Sequence, residues 1–143
     1  MLRNCAILLL AGAALLGAEA RAESLEGTGA VLQGLDKVTA RVSRFEAPVG
    51  KTVSFNRLRI MVRACRKHPP EEPPESAAFL EIEDVQPNGD VKRVYSGWMY
   101  ASSPAVAAME HPVYDVWVVD CRLPAPPPPA APAPTPPAPS PRR

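Results

Sequence analysis

The chain has 143 residues, a formal net charge of +1, 46% apolar side chains, 19 prolines, 3 cysteines and 2 histidines. That length accommodates one ordinary domain, and a charge near zero removes bulk attraction to nucleic acid or an anionic membrane as a basis for function. With two histidines, general acid-base chemistry would fall to the carboxylates, and no pair of them stands out.

Residues 1–22 read as a cleavable export signal. Arg3 supplies a positive start, Ala6 to Leu16 form an apolar run too short to span a bilayer, and both Ala18-Glu19-Ala20 and Ala20-Arg21-Ala22 fit a small-x-small cleavage site. Cutting after Ala22, or alternatively after Ala20, removes Cys5 and leaves Cys65 and Cys121. In the periplasm, an oxidising compartment, those two are expected to pair. Cys5 precedes the apolar run, which argues against a lipid anchor, and no later run approaches the ~20 apolar residues of a membrane helix. No transmembrane segment is therefore expected after signal cleavage.

Residues 23–34 carry Gly27, Gly29 and Gly34 with little apolar content, which predicts a flexible lead-in, with the ordered domain spanning 35–122. Val38, Ala40 and Val42 alternate with polar residues, the pattern of a half-buried strand. Ala47-Pro48-Val49-Gly50 breaks the chain, and Thr52 to Phe55 reads as a second strand. After a turn at Asn56-Arg57, the inward set Leu58, Ile60, Val62 and Ala64 marks the clearest strand. Pro69, Pro70, Pro73 and Pro74 then forbid regular structure. Ala78, Leu80 and Ile82 resume the alternation opposite Phe79, Glu81 and Glu83. Pro87-Asn88-Gly89-Asp90 signals a hairpin in which Asn-Gly can take a type I′ turn into Val91 to Tyr95.

Pro104 can open a short helix over Ala105 to Met109, ended by His111-Pro112. Val113 to Cys121 is apolar on both faces, which predicts a central strand. Six short strands and one short helix define an all-β fold, either a compact antiparallel β-sandwich or a small partly open barrel. Residues 123–143 form a Pro/Ala-rich tail. Eleven of the 20 residues from Pro124 to Arg143 are proline, so this segment is expected to be disordered or extended polyproline, acting as a spacer, a docking element or an inert solubilising tail.

Charge is unevenly spread. Nine basic residues and one acid lie between Lys37 and Lys67, and seven acids with no base between Glu71 and Asp90. Cross-strand pairing between the two segments accounts for this, with a basic patch for an anionic envelope polymer as the alternative.

Five readings compete for the remaining residues. A disulfide between Cys65 and Cys121 would stabilise the fold by about 4 kcal/mol on the chain-entropy model. Cys65 shares the strand parity of Arg59 and Arg63, so such a bridge needs a bulge near Ala64 or a site at the domain edge. Cys65, His68, His111 and Cys121 also make a two-cysteine, two-histidine zinc set, although the second pair is widely spaced. A thiol at Cys65, activated by Arg63, Arg66 and His68, would need the disulfide to be absent. Ser102, Ser103, His111 and Asp115 are near enough in sequence for a hydrolytic triad, but no nucleophile elbow, zinc-protease helix or phosphate loop accompanies them. Aromatic and Met residues flank the predicted helix, and Trp98, Met99, Tyr100, His111 and Tyr114 form a candidate binding surface, with a core role for the tryptophans as the alternative.

The segments Leu35-Asp36-Lys37-Val38-Thr39-Ala40, Ala47-Pro48-Val49-Gly50, Arg63-Ala64-Cys65-Arg66, Pro69-Pro70-Glu71-Glu72-Pro73-Pro74, Ser96-Gly97-Trp98-Met99, Ala101-Ser102-Ser103-Pro104 and His111-Pro112-Val113-Tyr114-Asp115-Val116-Trp117 closely resemble a bacterial family catalogued as domain of unknown function 2155. The resemblance implies an exported single domain with two cysteines and no assigned activity, cofactor or catalytic residue. Gly97-Trp98 also resembles a feature of bacterial SH3-type barrels, which would suggest a cell-wall-binding module. The expectation is therefore a non-enzymatic periplasmic binding or envelope-assembly module with no cofactor, whose partner is an envelope protein or a cell-wall component. A zinc- or thiol-dependent periplasmic enzyme is the alternative.

Overall fold

A computed structural model describes residues 23–126; residues 1–22, read above as an export signal, and nearly all of the proline-rich tail lie outside the described residues. The strands are β1 (Leu25–Glu26), β2 (Gly29–Asp36), β3 (Arg41–Pro48), β4 (Thr52–Phe55), β5 (Leu58–Lys67), β6 (Ser76–Val85), β7 (Val91–Tyr100) and β8 (Tyr114–Arg122). They form two antiparallel sheets and do not close into a barrel. One sheet has five strands in the order β1-β5-β6-β7, with β4 also pairing β5, and the other is β3-β2-β8. A shared core joins them: Leu32 and Val118 from the smaller sheet are buried with Leu58, Ile60, Val62, Leu80 and Ile82 from the larger. The alternation in β5 and β6 follows directly from the period-two pattern of those segments.

Two bulges turn both cysteines inward. Val62 faces Leu80 and Ala64 faces Phe79, so Arg63 is the extra residue in β5 and parity flips before Cys65. In β8, Leu32 faces Val118 and Val31 faces Asp120, so Val119 is extra and parity flips before Cys121. Each bulge stands two residues before its cysteine. The structure thus takes the bulge rather than the edge position, and Cys65 and Cys121 are buried and joined in a disulfide with Cα atoms 5.7 Å apart.

Several expectations need correction. The ordered fold begins near Leu25, and residues 29–36 are a strand, the central one of the smaller sheet, hydrogen-bonded to β3 on one side and β8 on the other. The glycines that suggested mobility serve packing instead: a Cβ on Gly34 would sit 2.6 Å from the Phe55 ring. Val38 lies in a turn, because Asp36 Oδ1 accepts hydrogen bonds from the Val38 and Thr39 amides and Ala40 adopts a φ of 54°. β8 is an edge strand rather than a central one. Its second apolar face reflects Trp117, which lines a groove beside residues 104–109.

The β6–β7 hairpin forms as expected, with a different turn. The Gly89 amide donates to the Gln86 carbonyl at 2.9 Å, which places Pro87 and Asn88 at the centre, and only Gly89 has a positive φ, of 91°. Proline at the first central position presets a type I turn, and the glycine follows in the left-handed region. β7 continues to Tyr100, beyond the expected Tyr95. The short helix reduces to a single 3₁₀ turn, Pro104–Ala107, held to β7 by the Tyr95 hydroxyl lying 3.0 Å from the carbonyls of Trp98 and Ala107.

Candidate binding surface

The outer face of the larger sheet has two zones. Towards one end, Arg59 pairs with its register partner Glu83 at 3.2 Å, Arg63 with Glu81 at 2.8 Å, and Arg93 reaches Glu83 at 3.5 Å. The basic and acidic segments therefore neutralise one another across strands. The hydrogen bond from Arg63 holds the Glu81 carboxyl below its ordinary value.

Towards the other end the face turns aromatic. Ala64, Phe79 and Trp98 stand in one cross-strand row, and Arg66, Ala77 and Tyr100 in the next. Phe79 and Trp98 meet edge to face with centroids 5.7 Å apart, and the Arg66 guanidinium lies 5.7 Å from the Trp98 ring centre. Tyr100 is 39% exposed. Small alanines between the large rings leave a flat, half-exposed patch with one cation over its centre. Phe79 was legible as an outward-facing aromatic of β6. Arg66 became legible only once the bulge at Arg63 set its side.

The five residues proposed from sequence do not form one surface. Trp98 and Tyr100 belong to this patch. Met99 points the opposite way into the core at 2% exposure, Tyr114 is 8% exposed, and His111 is 7% exposed. Strand alternation separates Met99 from its neighbours.

His111 and Tyr114 instead build a buried polar cluster. Asp84, 2% exposed, continues the inward register of Ala78, Leu80 and Ile82. Arg57 grips it through two hydrogen bonds of 3.1 and 2.8 Å, and Gln86 donates to the same carboxylate. His111 Nε2 lies 3.1 Å from Asp84 Oδ2, while its Nδ1 accepts from the amides of Val113 and Tyr114 at 3.1 and 3.0 Å. Two backbone donors at Nδ1 place the ring proton on Nε2, which donates to Asp84. Tyr114 stacks on His111 at 5.2 Å. Burial raises the Asp84 pKa, but the hydrogen bonds from Arg57 and His111 outweigh it and hold the carboxyl below its ordinary value. Both imidazole nitrogens are occupied, so the cluster pins the 111–114 corner to β6.

The other constellations are taken apart by the same geometry. Of the zinc set, the two cysteines are bonded to each other, His111 belongs to Asp84, and His68 Nδ1 contacts the Pro73 carbonyl at 3.0 Å. Among the described residues no three His, Cys, Asp or Glu side chains gather as a metal site. Ser102 bonds Glu75, and Asp115 pairs with Lys37 at 2.9 Å, so neither meets His111 as a triad would need. The Cys65 thiol is consumed in the disulfide.

A family model described as "Uncharacterized protein conserved in bacteria (DUF2155)" matches residues 30–121. The chain belongs to this family. The match begins in β2 and ends at Cys121, so it takes in both bulges and both cysteines. An uncharacterized protein of Rickettsia prowazekii (strain Madrid E) is 25% identical over 100 residues, covering 70% of this chain and 64% of that protein. The chain thus spans less than two thirds of that relative's length. No solved structure matches the chain. Among the described residues, no helix is long and apolar enough to cross a membrane.

Proposed function

We propose that this member of the DUF2155 family is an exported, non-enzymatic binding module of the periplasm, a β-sandwich that engages an envelope protein or cell-wall component through Phe79, Trp98, Tyr100 and Arg66. The aromatic patch on the outer sheet face carries the reading: rings and an arginine are the side chains that dominate interface energetics, and here they stand together without covering the core. The export signal and the bonded cysteine pair support the compartment. The residues that suggested catalysis are committed to structural hydrogen bonds or to the disulfide, which favours binding over the zinc- or thiol-dependent alternative.

A photo-crosslinking amino acid placed at position 100 in living cells tests this, with position 59 in the ion-paired zone as the control. Adducts of one defined mass at 100 and none at 59, on a chain beginning at Glu23 or Arg21, are expected. Equal labelling at the two positions, or adducts at neither, would refute the assignment of this face.

A further inference from the structure

The groove beside β8 is lined by Pro104, Ala105, Ala108, Met109 and Trp117, with Asp115 its charged member, and encloses about 290 Å³. Four other grooves are each lined by at least one arginine or lysine together with at least one acid. We propose that this apolar groove is the docking site of the chain's own proline-rich segment, residues 127–143, laid in cis against the Trp117 ring.

The chemistry of the segment selects the site. Proline has no amide hydrogen, so this stretch cannot join the free edge of β3, β7 or β8 as an added strand. Proline-rich segments are bound instead in aromatic-lined grooves, where the rings pack on a flat indole and little chain entropy remains to be lost. Trp117, Met109 and the small residues of 104–108 supply such a groove. Charge agrees with it, since the segment carries Arg142 and Arg143 and exposed Glu110 stands next to Met109 of the groove.

Reach agrees as well. β8 delivers the chain at Arg122, and Trp117 lies back along the same strand, about 17 Å away at ~3.4 Å per residue. Seventeen residues, 127–143, can reach at most about 50 Å at ~3.1 Å per residue, enough to reverse direction and run the length of the groove. Between Pro124 and Pro141, Ala130 is the one residue that is neither proline nor followed by proline, which makes it the natural place for that reversal.

The two tryptophans of the chain make the test direct, because Trp98 stands on the outer face of the other sheet and serves as the internal reference. Indole N–H resonances are recorded for the full chain and for a version ending at Pro126, assigned with Trp98→Phe and Trp117→Phe. The expected result is a shift of the Trp117 resonance on truncation, an unmoved Trp98 resonance, and return of Trp117 towards its full-chain position when a synthetic 127–143 peptide is added. An unchanged Trp117 resonance would overturn the proposal. So would a shift that depends on protein concentration, which would mean docking onto a second copy, or a shift confined to Trp98.

Discussion

Replacing both cysteines, as Cys65→Ala with Cys121→Ala, isolates what the crosslink contributes. The bridge closes a sequence separation of 56 residues, and the chain-entropy relation gives a loss of about 4 kcal/mol for a loop of that size. Both sulfurs are buried, so truncating them leaves small voids that add roughly 1 kcal/mol. For a domain of about 100 residues, with an unfolding entropy near 0.2 kcal/mol/K, the midpoint should fall by about 25 °C. Urea unfolding of the wild type, oxidised and reduced, beside the double variant separates the two contributions. Reduction keeps both sulfurs in place, so the reduced wild type should lose about 4 kcal/mol and the variant slightly more. The denaturant slope should rise in both, since the unlinked chain unfolds to a more open ensemble. A loss below about 1 kcal/mol on reduction, with an unchanged slope, would refute the argument that the crosslink acts by constraining the unfolded chain. Exported protein, denatured without reductant, should show no titratable thiol from Cys65 or Cys121.

Gly34→Ala should cost about 1–3 kcal/mol in urea unfolding, because the new Cβ meets the Phe55 ring, itself stacked on Phe45 at 5.4 Å; a neutral result would mean that the ring pair shifts freely. His111→Ala removes the acceptor of two amides and a donor to Asp84, and should cost about 2–4 kcal/mol, whereas His68→Ala on the surface should leave the unfolding midpoint nearly unchanged. Burial raises Glu75, Asp84 and Asp120, but their hydrogen bonds prevail and each ends below its ordinary value. The unfolded chain therefore binds more protons in acid, so this stability is complete above the ordinary carboxylate value of about 4 and is lost as pH falls through the lowered folded values. Urea midpoints against pH should show that loss, and Asp84→Asn should flatten it; parallel curves would exclude Asp84 from the effect.

What the sequence disclosed follows the strength of its periodic signals. β5 and β6 were legible because Leu58, Ile60 and Val62, and Ala78, Leu80 and Ile82, keep strict period two against charged partners. β2 was not, since Gly29 and Gly34 imitate a linker and only the Phe55 ring explains why a glycine belongs at 34. Val38 misled because its alternation with Val42 crosses a turn that Asp36 caps, and a side chain closing its own turn leaves no trace in a hydrophobic pattern. The candidate surface was half legible. Trp98 and Tyr100 were found, but adjacency in sequence drew in Met99, which alternation sends to the opposite face. Asp84 could have been found as the one acid in phase with three inward aliphatics.

The polar contacts between the sheets explain why the residue sets suggested by sequence do not come together in the structure. Asp84 joins the Arg57 turn to the His111 corner, across 27 residues on either side. Asp120, beside the disulfide, accepts from Lys67 at 2.8 Å, from Ser76 at 2.8 Å and from the Cys121 amide at 2.7 Å. Together with the disulfide, these acceptors tie β5 and β6 to β8 and to the loop before it, the connections that a two-sheet fold with long crossovers most needs. Each of these carboxylates therefore accepts several hydrogen bonds that hold the fold together. On the binding reading proposed above, recognition falls to two surfaces, the Trp98 patch on one sheet and the Trp117 groove beside the other. Because neither tryptophan supplies a hydrogen bond to the Asp84 or Asp120 cluster, truncating either ring should, on that reading, remove recognition while leaving those clusters and the disulfide intact.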